Sequence, residues 1–196
     1  MIPEKVLFVG DNSRWSELAA DYLRRTFTTV ETVLWDYGDE KPDVLNTWHG
    51  DRIFCFKADL ILDARTLGQA TKTAINFHPA IPKYRGIGGY DYVIHEGGSE
   101  FGVTCHHMVT KIDAGPIIVV RRFAVLPSES VASLRDRAAA HCLLLFQEIV
   151  HRIRSGTALP TSDERWGATL YTRAMLEEFY RTRAGYGSAA RKDHAA

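Results

Sequence analysis

Cysteine is scarce in this sequence: Cys55, Cys105 and Cys142 are all there is, and no two form a Cys-x-x-Cys pair. An odd number at long spacing excludes a disulfide framework or a thiolate zinc site as the basis of the fold, and it predicts a reducing, cytoplasmic setting. An excess of one charge is also missing, with 24 Lys and Arg against 24 Asp and Glu and a formal net charge of +0. That balance lacks the overall basic footprint of a general nucleic-acid binder. Paired arginines occur only at 24–25 and 121–122 and read as solvated faces. Long apolar runs are absent too. The first one ends at Gly10-Asp11, too short for a signal peptide or a membrane span, so the chain is expected to be soluble and unprocessed. Glycine is sparse in the first strand-to-helix turn. Gly10-Asp11-Asn12-Ser13 has one glycine where a dinucleotide fingerprint needs three, and Asp11 would repel a pyrophosphate. A nicotinamide or flavin dinucleotide site is therefore rejected. Internal repeats and low-complexity tracts are not found.

What is present suits one ordinary globular domain. The 196 residues are 45% hydrophobic and 24% charged, enough to bury a sizeable core. Lys5 to Val9 reads as a buried parallel strand. A helix capped by Ser13 follows, with Trp15, Leu18, Ala19, Tyr22, Leu23 and Phe27 on one face. Thr29 to Leu34 is β-branched and reads as the second strand. This βαβ opening predicts an α/β fold: a single open, mostly parallel twisted sheet with flanking helices, Rossmann-like. Asp36 to Gly50 is a loop with one turn of helix. Strands are expected at 53–56, 74–77, 102–109 and 117–120, with short helices over 63–70 and 90–95. Ser128 or Ser130 caps a long helix, with Val131, Leu134, Ala138, Leu145, Ile149 and Ile153 on one face, and Gly156 ends it. Residues 1–184 form the expected catalytic domain, and the small, polar residues 185–196 a disordered tail.

Two segments carry chemistry. Asn76 and His78 are two apart, so a strand places both on one face. Strand ends of open α/β sheets are where ligands bind. Pro79 biases the His78 backbone toward an extended form. An amide beside an imidazole suits acyl transfer: the amide steadies an oxyanion and the imidazole handles a proton. Asp113, in a glycine-containing connection, is the natural carboxylate to orient the imidazole and raise its pKa. On spacing alone, the same residues also read as turn formers and hydrogen-bond fillers.

The segments Asn76-Phe77-His78-Pro79, Pro82-Lys83-Tyr84-Arg85-Gly86, Gly102-Val103-Thr104 and Asp113-Ala114-Gly115-Pro116-Ile117-Ile118 resemble, in order and spacing, the folate-dependent formyltransferase family. The match is strong from about Ala74 to Phe123 and weaker through the long helix. The resemblance implies catalysis by Asn76, His78 and Asp113, with N10-formyltetrahydrofolate as formyl donor and no metal. Within the family, Gly86-Ile87-Gly88-Gly89-Tyr90, the paired His106-His107, and Trp166 with Tyr171-Thr172-Arg173 look most like the nucleotide-sugar N-formyltransferases, such as those acting on 4-amino-4,6-dideoxy sugars like GDP-perosamine, which serve surface polysaccharide and O-antigen synthesis. The part before Asn76 is short for the family.

The resemblance assigns the remaining roles as follows. Asp63, Ala64, Arg65 and Leu67, with Lys111 and Ile112, contact the folate. Tyr84, Arg85, Gly86, Gly88, Gly89, Tyr90 and Tyr171 contact the acceptor, the glycines letting a pyranose come close. His106 supports Asp113 or merely hydrogen-bonds locally, while His107 is solvated. Cys105 reads as a small core residue. Trp35, Trp48, Trp166 and Tyr171 either pack in the core or stack on a base. The partner is a small-molecule nucleotide sugar, without nucleic acid or membrane, and a homodimer is compatible. Glycinamide ribonucleotide or methionyl-tRNA formylation and formyl-folate hydrolysis are the alternatives; a non-catalytic folate-binding protein fits an intact triad poorly. No tRNA-binding barrel, ankyrin or regulatory pattern follows Phe179.

Overall fold

A computed structural model describes residues 1–183; the tail expected from Gly185 lies outside the described residues. The elements run β1 (Ile2–Gly10), α1 (Arg14–Thr26), β2 (Phe27–Leu34), α2 (Val44–Thr47), β3 (Gly50–Phe56), α3 (Ala64–Gly68), β4 (Ala70–His78), β5 (Arg85–Gly86), α4 (Gly89–His95), β6 (Glu100–His107), β7 (Ile117–Ala124), α5 (Val131–Arg154), β8 (Leu170–Tyr171) and α6 (Arg173–Thr182).

Six strands make one sheet in the order β2-β1-β3-β4-β6-β7. The first four are mutually parallel, β6 runs antiparallel to β4, and β7 antiparallel to β6. The sheet is thus mixed but mostly parallel, as expected, with β6 alone reversed. The expectation of a single sheet needs correction, because β5 and β8 pair as a second, two-stranded sheet. Strands of two residues have too little side-chain alternation to be read from sequence.

One face of the large sheet presents Val6, Phe8, Phe54, Phe56, Ile75 and Phe77 to α1, α4 and α5. The opposite face presents Leu7, Val9, Ile53 and Cys55 to Leu45, Trp48, Leu60 and Leu62. Phe146 of α5 anchors the first layer, with its ring edge-on to Phe8, Phe54, Phe56 and Phe77 at 4.9–6.1 Å. Truncating such an aromatic to Ala costs about 3–5 kcal/mol. The expected α5 face is buried at Leu134, Ala138, Leu145 and Ile149, and Cys142, Phe146 and Val150 widen it. Ser130 caps α5 in a reciprocal box with Ser133. In α1 the buried stripe is Ser16, Ala19, Ala20 and Leu23, so Leu18 faces solvent and Phe27 opens β2, against the expected face. Among the described residues, no helix is long and apolar enough to cross a membrane.

Candidate active site

β4 carries alternating side chains to its C-terminal end. Ile75 and Phe77 enter the aromatic core, which turns Asn76 and His78 to the other face. The antiparallel register sets His106 of β6 opposite Asn76, and Thr104 opposite His78. Where β6 meets β7 the register slips between Cys105 and His106. Bulges of this kind re-aim side chains beside sites.

After β6 the chain loops back to β7 and delivers Asp113. Its backbone is left-handed, with φ of +42°, a conformation that Asp tolerates better than most residues. Two residues on, Gly115 passes so close to the His107 carbonyl that an added Cβ would sit 1.8 Å from its oxygen. Only glycine fits there. The carboxylate of Asp113 gathers four nitrogens around it. Oδ2 lies 3.3 Å from His78 Nδ1 and accepts the Gly86 N–H at 2.8 Å. Oδ1 lies 3.3 Å from both His106 Nε2 and Asn76 Nδ2. Burial alone would push this acid up, but the His78 and His106 rings and the Gly86 N–H outweigh it and hold the carboxyl far below the usual range.

The two imidazoles differ in their second contacts. His106 Nδ1 donates to the His107 carbonyl at 2.9 Å, so in the neutral ring Nε2 accepts the Asn76 amide at 3.0 Å. His78 Nε2 faces the Tyr84 carbonyl at 2.8 Å while Nδ1 faces Asp113. Carbonyl and carboxylate oxygens only accept, so a ring with a proton on each nitrogen satisfies both. His78 and His106 are 5% and 3% exposed, whereas Asn76 is half-buried.

The structure thus brings together Asn76, His78, Asp113 and His106. Cys105 is fully buried and its thiol is pushed well above its ordinary pKa by burial. Cys55 is likewise pushed up to about 12, by burial and then by the charge of Asp113. Neither is an activated nucleophile. His107 is half-buried and reaches Thr73, rather than being freely solvated.

The residues expected at the acceptor make the following contacts within the protein. Tyr84 is buried, and its hydroxyl donates to Glu96. Arg85 gives its guanidinium to the carbonyls of Ile112, Asp113 and Gly167. The space beside Gly86, Gly88 and Gly89 is filled by protein: an added Cβ would meet the Tyr171 carbonyl, Leu176 and Ala80 respectively. Tyr90 packs on Phe101, and Tyr171 on Tyr92 and Tyr84. These side chains shape the loop around the site. Of the residues expected at the folate, Asp63 caps α3 through Thr66 and Leu67 joins the apolar layer. Ala64, Arg65, Lys111 and Ile112 are exposed, the last two directly before Asp113.

Trp166 is a contact the sequence left undecided between core and base. Its ring lies edge-on to His106 at 4.8 Å and to His78 at 5.9 Å, and Nε1 donates to the Gly115 carbonyl at 2.7 Å. Trp48 is buried, and Trp35 donates to the Asp39 carbonyl. At the ends of β1 and β3, Asp11 accepts Lys57 at 2.6 Å together with Ser13 and Ser16. The chain's own carboxylate therefore fills the head of α1.

Several solved structures share this fold. One is Rv3404c of Mycobacterium tuberculosis, described as a likely sugar N-formyltransferase, at 22% identity and a TM-score of 0.72 over 89% of this chain and 78% of that one. Another is an N-formyltransferase of Helicobacter canadensis in complex with folinic acid and dTDP-3-aminofucose, at 18% identity and a TM-score of 0.71, covering 89% and 72%. A third is the formyltransferase PseJ of Anoxybacillus kamchatkensis in complex with UDP-4,6-dideoxy-4-formamido-L-AltNAc and tetrahydrofolate, at 22% identity and a TM-score of 0.68 over 93% of both chains. The family model for formyl transferases matches residues 37–147, a span that takes in β3, β4, the Asp113 loop and most of α5. A match over more than half of its length, with Asn76, His78 and Asp113 inside it, makes this chain a member of the formyl transferase family.

Proposed function

We propose that this protein moves a formyl group from N10-formyltetrahydrofolate to the amine of a nucleotide-linked amino sugar. The observation that carries the reading is the convergence of Asn76, His78 and His106 on the single carboxylate of Asp113 at the end of β4. The amine nitrogen attacks the formyl carbon, the carbon–N10 bond breaks, and a proton passes from the amine to N10. Asn76 offers an N–H to the oxyanion of the tetrahedral intermediate, and His78, with a proton on each nitrogen, supplies positive charge to the site while Tyr84 and Asp113 hold its ring. The longer of the two Asn76 contacts, to Asp113 at 3.3 Å, is the one a substrate oxygen replaces. His78, or a water ordered by Asp113, relays the proton. Lys111 and Ile112, exposed and adjacent to Asp113, together with Asp63, Ala64, Arg65 and Leu67, are the candidates for folate contact.

Support for a sugar acceptor comes from the fold. Two of the structures it shares were solved with nucleotide sugars, and the PseJ ligand carries its formamide at the 4-position of a dideoxy sugar. A 4-amino-4,6-dideoxy sugar of the GDP-perosamine type, destined for surface polysaccharide, is the finer form of the proposal, in a cytoplasmic protein. Asp11 at the head of α1 disfavours a phosphate there, as glycinamide ribonucleotide would bring. Mass spectrometry tests the acceptor. Formyl-folate with GDP- or dTDP-linked 4-amino-4,6-dideoxy sugars is expected to add one formyl group, and exhaustive chelation is expected to leave the rate unchanged. Formylation of initiator tRNA or glycinamide ribonucleotide, with no reaction on any nucleotide sugar, overturns the acceptor assignment.

A further inference from the structure

The segment between α5 and α6 lies outside the matched family span, yet it is laced to the catalytic loops. Gly167 N donates to the Pro82 carbonyl at 2.9 Å, and Ile87 N donates to the Tyr171 carbonyl at 3.1 Å. β8 pairs with β5, so Gly86, whose N–H holds the Asp113 carboxylate, stands in register with Tyr171. Arg85 bridges both sides, with Nε to the Asp113 carbonyl at 2.8 Å, Nη2 to Ile112 at 2.9 Å and Nη1 to Gly167 at 3.3 Å. Trp166 closes the circuit by donating to the Gly115 carbonyl and covering the edges of both imidazoles.

We propose that Trp166 and Arg85 are positioning residues, a strap and its buckle that hold Asp113 and His78 in their catalytic geometry; the inference rests on the formyltransferase reading above. Asp113 has a left-handed backbone, which persists only when its surroundings impose it. Arg85 grips the carbonyl of that same residue, and Trp166 grips the carbonyl two residues later. The oxygen that accepts from His78 Nε2 belongs to Tyr84, the neighbour of Arg85. Arg85 therefore ties the Asp113 loop to the chain segment that carries the other acceptor of the imidazole. A planar fork can serve three carbonyls at once, which a lysine ammonium on a flexible stem does not reproduce. The indole adds a roof that keeps water from His78 and His106.

The test compares Trp166→Phe, Trp166→Ala and Arg85→Lys with the parent protein. Three quantities are read: kcat and KM for the formyl donor, the pH–rate profile, and the nitrogen-15 signals of the imidazoles through a pH titration. Misplacing a catalytic group by about 1 Å costs on the order of 10²-fold in rate. Arg85→Lys and Trp166→Ala are expected to lose about that much kcat, and Trp166→Phe, which keeps a ring but no donor, about 10-fold, with KM within about 2-fold of the parent. The acid limb of the profile moves, and the nitrogen-15 signals of His78 and His106 shift as their contacts with Asp113 lengthen. A raised KM at unchanged kcat makes these residues substrate contacts and overturns the proposal. Unchanged kcat, profile and imidazole signals overturn it as well. Should Trp166→Ala fail to fold, the two milder variants decide. If the parent protein formylates no nucleotide sugar, the functional reading falls on its own. The imidazole nitrogen-15 signals, which need no substrate, then still decide the strap: unmoved signals overturn it.

Discussion

Two carboxylates at opposite ends of the sheet expose almost the same small share of their surface, and their partners separate structure from chemistry. Glu4, near the start of β1, is 8% exposed and Asp113, beyond the end of β4, is 7% exposed. Glu4 accepts from Arg52 at 2.6 Å and from Lys72 at 2.6 Å, two groups whose charge is fixed at any working pH. Asp113 is surrounded by two imidazoles, a side-chain amide and one main-chain N–H. A carboxylate tied to permanent cations does one thing at all times. A carboxylate tied to imidazoles changes its surroundings whenever a proton moves, which is what a relay needs. Burial alone does not mark a catalytic acid; the titratability of its neighbours does.

The sharpest way to break the comparison is to remove what Asp113 organises. Asn76→Ala and His78→Ala are each expected to lower kcat by at least 10²–10³-fold with folding intact, the usual worth of an oxyanion donor. Steady-state kinetics and circular dichroism check this together. A His78→Ala protein with near-normal turnover sinks the mechanism.

Asp113→Asn comes next. It keeps the shape of the loop and removes the charge. A large loss of kcat is expected, with the acid limb of the pH profile displaced. The folded carboxyl is held far below its unfolded value by His78 and His106, against the cost of burial. Its contribution to stability is therefore complete above the unfolded aspartate pKa, about 3.9, and fades as pH falls below that. Acid unfolding of the Asn variant is expected to be less steep in that window. If rate and profile both stay unchanged, Asp113 is only a turn residue.

Much of this was legible in the sequence because it is local. Strand alternation placed Asn76 and His78 on one face, Ser13 and Ser130 announced their helices, and order and spacing brought in Asp113. The rest depends on partners far along the chain. Nothing in Tyr84 to Tyr90 says that its glycines are filled by Tyr171, Leu176 and Ala80, because those contacts arise only when β8 pairs with β5 and the loop after β4 and α6 close on the segment. Arg85 reads as a ligand-binding cation until its three carbonyl partners are seen. Trp166 gave one signal, a tryptophan just before a glycine in a polar stretch, and that fits many roles. Leu18 was assigned to the core by spacing, but the face of α1 is set by what Ala19, Ala20 and Leu23 can fit against β1. Nothing local marks Glu4 as buried, since its cations lie 48 and 68 residues away.

Glu4→Gln makes the complementary test, and it should act on stability without touching the rate. Burial pushes Glu4 up, yet the Arg52 and Lys72 contacts outweigh burial and leave it below its ordinary value. The sign of the linkage follows. Its stabilisation is whole above the unfolded glutamate pKa, about 4.3, and is lost as pH drops through the lower folded value. The Gln variant keeps an acceptor oxygen for Arg52 but strips that guanidinium of its counter-charge. The expected cost near neutral pH is about 1–3 kcal/mol, the range for leaving a buried polar group badly paired. Lys72 is about half exposed, so its share is screened by salt and the total belongs at the lower end. Urea titrations at pH 7 and pH 4 read this directly. The gap between parent and variant should shrink at the lower pH, while kcat at pH 7 stays within about 2-fold, since Glu4 sits at the far end of the strands from His78. A loss of kcat as large as that of Asp113→Asn would mean that the two ends of the sheet are coupled, and the division between a structural and a chemical carboxylate would fail.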